Sequence, residues 1–170
     1  MVSEEIKEKL SKIKILITDC DGVLTDGKIY YGSDGSELKA FHVHDGKGFY
    51  LIQEKGIICA IITGRQSPMV ERRAQELGIE EVYQAISDKL TVFNKILRKY
   101  DLTTDQAAYI GDDINDRKVL QQVGFSATVA DGVPVLKNEV DFVTEKKGGR
   151  GAVREITDLI LRYGHQEGLS

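Results

Sequence analysis

Short apolar runs and longer amphipathic stretches take turns along the chain. IKILITD (13–19) is a continuous apolar run, the pattern of a strand buried on both faces. IICAIIT (57–63) and AAYIG (107–111) read the same way, and EVYQA (81–85), FSATVA (125–130) and DFVT (141–144) read as shorter strands. Helical stretches stand between them. MVSEEIKEKLSKIK (1–14) is a charged amphipathic helix, and DGKGFYLIQEKG (45–56) a helix stopped at Gly56. SPMVERRAQELG (67–78) offers Ser67 as N-cap, Pro68 at the first helical position and Gly78 as a stop. SDKLTVFNKILRKY (87–100), with Ser87 as cap, INDRKVLQQVG (114–124) and GAVREITDLILRYG (151–164) complete the set. One segment breaks the rhythm. In GKIYYGSDGSELKAFHV (27–43) two alternating stretches flank a β-turn signal at 33–36, which predicts a hairpin inserted after the first strand.

Strands alternating with helices predict an α/β fold, a Rossmann-like three-layer arrangement with a mostly parallel central sheet and right-handed crossovers. There is no repeat, low-complexity tract or linker, so residues 1–170 read as one domain, with 164–170 as a flexible tail. In such sheets ligands bind beyond the carboxyl ends of the strands. Those ends carry Asp19 and Asp21, then Thr63, Gly64 and Arg65, then Ser87, Asp88 and Lys89, then Asp112 and Asp113. Asp, Thr and Ser there are each explained alone as helix caps; the set is explained poorly that way.

Composition narrows the choice. The 170 residues are 41% hydrophobic and 29% charged, a soluble globular profile. A net charge of −4 leaves no basic footprint, which argues against nucleic acid as a partner. No apolar run approaches the roughly 18 residues that would span a bilayer, and no signal-peptide core is present, so a cytoplasmic protein with no membrane partner is expected. Cys20 and Cys59 sit in or beside strand-like runs and read as reduced and packed.

Several carboxylates in one crevice need a cation, or some must stay protonated. Oxygen donors without His or Cys partners suit Mg²⁺. A lysine, a threonine hydroxyl and backbone N–H groups nearby complete a kit for phosphoryl transfer: neutralised charge, oriented donors and an in-line nucleophile. Asp19 and Asp21, two apart on extended chain, point to one side. One can attack phosphorus while the other handles protons.

These residues resemble the motifs of the haloacid dehalogenase superfamily of phosphatases. DCDGVLTD (19–26) is similar to its first motif, ITGR (62–65) to its second, Lys89 with Asp88 to its third, and GDDIND (111–116) to its fourth, in the same order. The resemblance runs from residue 13 to about 163. It implies Asp19 as the nucleophile forming an aspartyl-phosphate and also binding Mg²⁺, and Asp21 as general acid and base with its backbone carbonyl on the metal. It further implies Asp112 as the other protein ligand, Asp113 acting nearby through a water, and Thr63 and Lys89 holding phosphoryl oxygens. Asp116 either orients Lys89 or sits at a helix N-terminus favoured by the dipole.

No span is long enough for a cap domain. DGVLTDGKIYYGSDGSELKAFHVHDGKG (21–48) and KKGGRGAVREITDLIL (146–161) are similar to the capless branch that includes 3-deoxy-D-manno-octulosonate (KDO) 8-phosphate phosphatases. That branch implies lipopolysaccharide precursor synthesis and a homotetramer joined through the hairpins. It also implies a small phosphorylated sugar acid as substrate, contacted by His42, His44, Asp45, Gly46, Gly64, Arg65, Arg73 and Asn115. An Asn-Val-Arg-Asp-Gly pattern of the branch appears here as 42–46 with His42 and His44, and a later Arg position holds Tyr50. A nonulosonate 9-phosphate or another sugar phosphate therefore stays open as substrate. Outside enzymology, a phosphatase-like tetramerisation module stays open too. A signalling receiver does not suit the chain, because the strand ending in ITGR carries no Asp.

Overall fold

A computed structural model describes residues 2–164; the predicted tail, beyond Gly164, lies outside the described residues. The chain runs through α1 (Glu4–Ser11), β1 (Ile15–Thr18), the hairpin strands β2 (Tyr30–Tyr31) and β3 (Glu37–Leu38), α2 (Val43–Gln53), β4 (Ile58–Ile62) and α3 (Pro68–Leu77). It continues through β5 (Glu81–Tyr83), α4 (Lys89–Lys99), β6 (Ala107–Gly111), α5 (Arg117–Leu120), β7 (Phe125–Thr128), α6 (Pro134–Lys137), β8 (Phe142–Val143) and α7 (Ala152–Tyr163).

Six strands form one parallel sheet in the order β5-β4-β1-β6-β7-β8. β1 lies between β4 and β6, in register at Ile17 with Ala60 and with Tyr109. The chain builds outward from β1 on one side, through β4 and β5, and then returns to the other, through β6. The carboxyl ends of β1 and β6 therefore flank the switch point where an open α/β sheet leaves a crevice.

Alternate side chains feed two cores, because successive strand residues face opposite sides. Leu16, Cys59, Ile61, Ala108 and Ile110 pack beneath Phe49, Ile52, Val70, Val153 and Ile156 of α2, α3 and α7. Ile15, Ile17, Ala60, Ile62 and Tyr109 pack beneath Phe93, Ile96, Val119 and Leu136 on the opposite face. Both cysteine thiols are buried in the first core and unpaired, and burial pushes each well above its usual pKa.

Local chemistry moved three boundaries. α2 begins at Val43, two residues early, because His42 is extended and its Nδ1 accepts from His44 N–H at 3.3 Å. α4 is capped by Asp88, not Ser87: the Asp88 carboxylate accepts from the N–H of Thr91 at 3.4 Å and its hydroxyl at 2.7 Å. The helix expected over 114–124 breaks into a 3₁₀ turn, Ile114–Asp116, and the four-residue α5. α6, opened by Pro134, has no counterpart in the sequence reading. The hairpin forms as expected, closed by Gly32 N–H to Ser36 O at 2.7 Å, with the Asp34 carboxylate accepting from Ser36 N–H at 3.0 Å.

Candidate active site

Beyond the ends of β1, β4 and β6 opens a cleft of about 250 Å³, lined by Asp19, Asp21, Gly27, Thr63, Gly64, Arg65, Asp112, Asp113 and Asn115. Asp19 N–H still donates to Ile110 O at 2.9 Å, so the nucleophile candidate is held by the last rung of the sheet. After it the chain turns sharply: Val23, Leu24 and Thr25 all donate to the carbonyl of Cys20. Cys20 points into the core, and Asp19 and Asp21 both line the cleft.

Two glycines permit this packing. Gly22 has φ +88°, and a Cβ there would lie 2.0 Å from Asp112 Oδ2. A Cβ on Gly148 would lie 1.8 Å from Gly22 O, so the loop before α7 can press on the β1 loop only as glycine. Gly149 N–H fixes that contact on Val23 O at 2.9 Å. Asp26 orders the exit toward the hairpin by accepting from Lys28 N–H at 3.1 Å and Tyr30 O–H at 2.6 Å.

Lys89 stands beneath the cleft floor and is almost fully buried. Its Nζ lies 2.8 Å from Asp19 Oδ2 and 2.7 Å from Asp116 Oδ1. Burial alone would lower its pKa, but the Asp19 and Asp116 charges raise it, and the ammonium persists. Asp116 is wholly enclosed, with both oxygens occupied. Oδ1 also accepts from Tyr109 O–H at 2.6 Å, and Oδ2 accepts from the N–H groups of Asp112 at 3.1 Å and Asp113 at 3.3 Å. Of the two readings of Asp116, the geometry gives it the Lys89 contact. Asp113 is exposed and caps the 3₁₀ turn.

One lysine does not balance the acids. Burial, with the charge of Asp116, raises the Asp19 carboxyl pKa against the pull of Lys89. Burial, with the charges of Asp19, Asp116 and Asp113, pushes Asp112 to about 8. Asp19, Asp112 and Asp116 each bring an oxygen within 4.8 Å of the others. Because Asp116 already accepts four donors, Asp19 and Asp112 are the pair left to share a cation. Hard oxygen donors crowded in this way fit Mg²⁺.

Five of the residues expected at the substrate do not line this cleft. Asp45 is buried, and its carboxylate accepts from Arg154 N–H at 2.8 Å and Gly151 N–H at 3.3 Å, which caps α7. Gly46 packs against the guanidinium of Arg73, where a Cβ would lie 2.4 Å from Nη2. Arg73 itself lies over the Phe41 ring and bonds Glu76 at 3.2 Å. His42 and His44 contact each other edge-on at the start of α2, His44 exposed.

Two residues that the sequence reading passed over do reach the site. Lys39 pairs with Asp21, and Glu37 accepts from Arg65 Nη2 at 3.0 Å. Their signal was present: Glu37 and Lys39 are two apart on a strand, so they share a face, while Leu38 between them faces out.

Residues 78–156 match the family described as haloacid dehalogenase-like hydrolase. Over 160 residues the chain is 48% identical to the 3-deoxy-D-manno-octulosonate 8-phosphate phosphatases KdsC of Yersinia pestis and of Escherichia coli K12, covering 94% of this chain and 86% and 85% of theirs. The solved Yersinia pestis enzyme superposes with a TM-score of 0.94 at 47% identity, over 95% of this chain and 88% of that one. The phosphatase of Moraxella catarrhalis, solved with magnesium, phosphate and KDO, gives 0.92 at 46% identity, over 94% and 92%.

Proposed function

The chain belongs to the haloacid dehalogenase-like hydrolases as a phosphoric monoester hydrolase similar to the KDO 8-phosphate phosphatases, and on that premise we propose that it hydrolyses KDO 8-phosphate to KDO and phosphate. The observation that carries the proposal is Asp19 on the cleft floor, backed by Lys89 and facing Asp112, whose carboxyl pKa is pushed up to about 8 by burial and the neighbouring acids.

In this reading Asp19 attacks phosphorus and the ester P–O bond breaks. The electron pair leaves on the sugar oxygen, which takes a proton from Asp21. Water then attacks the aspartyl-phosphate and gives a proton to Asp21. The bond to Asp19 breaks, and the carboxylate and inorganic phosphate are restored. Thr63 and Lys89 hold phosphoryl oxygens, and Lys89 keeps the Asp19 carboxylate aimed into the cleft. Asp19, Asp112 and the Asp21 carbonyl would hold Mg²⁺, with Asp113 beside them. The ion supplies charge neutralisation for the phosphoryl oxygens. Gly64, Arg65 and Asn115 line the path of the sugar acid.

About 250 Å³ is small for an eight-carbon phosphate, since ligand sites usually enclose about 300–1,000 Å³. The hairpin leaves Tyr31 71% and Leu38 63% exposed, with Ile29 and Tyr30 beside them. Two-residue strands with an uncovered apolar face suit packing against further copies of the chain. We propose that copies of the chain meet through the hairpins, in the homotetramer that the resemblance implies, with His42, His44 and Arg73 serving the sugar acid across that contact. Among the described residues no helix is long and apolar enough to cross a membrane, and a cytoplasmic enzyme suits this reading.

His44 and Tyr50 stand where the pattern of the capless branch resembled above has Arg, so a nonulosonate 9-phosphate or another sugar phosphate stays open as the second reading. The test is kcat/KM for the eight-carbon keto-acid 8-phosphate, a nine-carbon 9-phosphate and hexose phosphates. Preference for the first supports the proposal. Preference for the second replaces it, and a flat profile removes sugar-acid specificity.

A further inference from the structure

Four charges form a closed ring on the hairpin side of the cleft. Asp21 Oδ1 accepts from Lys39 Nζ, and Lys39 lies 3.6 Å from Glu37 Oε1. Glu37 Oε2 accepts from Arg65 Nη2 at 3.0 Å, and Arg65 Nε returns to Asp21 Oδ2 at 3.8 Å. Cations and anions alternate, and the ring joins three loops: the turn after β1, the strand end of β3 and the turn after β4.

The two oxygens of Asp21 are held unequally. Oδ1 is bonded to an ammonium whose side chain is only 3% exposed. Oδ2 faces Arg65 beyond hydrogen-bond distance, and among the described residues it accepts no hydrogen bond. Lys39 does not line the cleft, so it acts on Asp21 from behind. Glu37 Oε1 is buried with no hydrogen-bond partner, and Lys39 is the cation beside it. A buried ammonium between two carboxylates has few alternative positions, since breaking either contact strands a charge.

We propose that Lys39 is the positioning residue for proton transfer: by clamping Oδ1 of Asp21 it fixes the carboxyl rotamer and leaves Oδ2 free to carry the proton to and from the reacting oxygens. Glu37 holds Lys39 in place, so the hairpin is wired to the chemistry of its own chain as well as to assembly. The inference rests on the role given to Asp21 under the proposed function, and it predicts a dependence on the leaving group. A primary alkoxide needs the proton as it departs, whereas p-nitrophenolate leaves without one. kcat/KM reports the steps through transfer of the phosphoryl group to Asp19, so the two esters separate proton donation from all other contributions.

The experiment compares wild type, Lys39→Met and Lys39→Arg on the eight-carbon keto-acid 8-phosphate and on p-nitrophenyl phosphate, with Mg²⁺ saturating. General acids contribute about 10²- to 10⁴-fold, and a misaimed one forfeits part of that. The expected loss for Lys39→Met is about 10- to 100-fold in kcat/KM on the alkyl ester and under about threefold on the aryl ester, with partial recovery in Lys39→Arg. Equal losses on both esters, or none on either, overturn the inference. A raised KM with kcat kept does so as well, because it makes Lys39 a binding residue. Lys39→Met/Glu37→Gln removes the stranded carboxylate and serves if the single variant unfolds. A crystal structure of either variant is a readout independent of activity: Asp21 must leave its present rotamer, and an unmoved Asp21 refutes the clamp. Absence of wild-type turnover on both esters counts against the proposed function, whereas the rotamer still decides the role of Lys39.

Discussion

Asp116→Asn separates the buried acid of the GDDIND stretch from its exposed neighbour, Asp113. The Asp116 carboxylate accepts four donors: Lys89 and Tyr109 on one oxygen, and the N–H groups of Asp112 and Asp113 on the other. An asparagine keeps one acceptor oxygen. Whichever way its amide turns, two donors lose their acceptor and meet an NH₂ group instead. A buried hydrogen bond to a charged group contributes about 1.5–3 kcal/mol, and removing one member of a buried ion pair costs about 3–5 kcal/mol. Two such bonds come to about 3–6 kcal/mol, which overlaps the ion-pair figure at about 3–5 kcal/mol, a large part of the roughly 5–15 kcal/mol that holds a domain folded. Urea unfolding followed by circular dichroism reads this directly. With a slope of about 2 kcal/mol/M, the midpoint falls by roughly 1.5–2.5 M. The control is Asp113→Asn, three residues away and exposed, which stays within about 0.5 kcal/mol of wild type. Freed from Asp116, Lys89 turns wholly to Asp19, so kcat falls in Asp116→Asn while the KM for the phosphate ester holds. A midpoint within about 0.5 M of wild type, or equal losses in the two variants, would refute the hub.

Three further expectations concern the cation, the α7 cap and the hairpin. Asp112 titrates near 8 when folded, against about 3.9 in an unfolded chain, so the metal-free fold binds protons that the unfolded chain does not, and its stability declines as pH rises between those values. Mg²⁺ competes with those protons, so the rise in Tm from Mg²⁺ over chelator is larger at about pH 8.5 than at about pH 5; a pH-independent rise would place the ion elsewhere. Asp45→Ala removes the acceptor of Gly151 and Arg154 N–H, lowers stability by about 1–2 kcal/mol and leaves KM unchanged, whereas a KM effect without a stability effect would return Asp45 to the substrate. Tyr31→Glu with Leu38→Glu puts charge on the exposed hairpin face and reduces the mass found by light scattering to that of one chain; an unchanged mass would move the assembly contact off the hairpin.

Some of this was legible along the chain and some was not. Strands buried on both faces announce themselves as apolar runs, and a parallel sheet sends its strand ends to one edge. Asp19, Asp21, Thr63 and Asp112 therefore group together on the strength of the sequence pattern. The hub around Asp116 was half visible: the residue stood out, but its partner Tyr109 looked like any core aromatic, because the hydrogen bond depends on how β6 faces the following turn. Glu37 and Lys39 were hidden for a different reason. Their alternation marked a shared face, but only the fold of the hairpin onto the β1 loop shows that this face meets Asp21. Asp45 shows a role that the sequence hid. The resemblance of 42–48 to the capless branch implied a substrate contact, and in the fold the Asp45 carboxylate accepts from the backbone that opens α7, more than a hundred residues later. The division of 114–124 into a turn and a short helix was also beyond periodicity, since the side chains of Asp113 and Asp116 take up the first N–H groups there.

Asp19 is the group proposed to accept the phosphoryl unit. Rapid quenching of Asp21→Asn with excess p-nitrophenyl phosphate and Mg²⁺, followed by peptide mass spectrometry, tests it: the aryl leaving group needs no proton from Asp21, so the intermediate forms, and loss of the general base slows its hydrolysis. The expected result is a phosphoryl adduct on the peptide carrying Asp19, absent from Asp19→Asn/Asp21→Asn. An adduct on any other residue, or one that persists in the double variant, would contradict it.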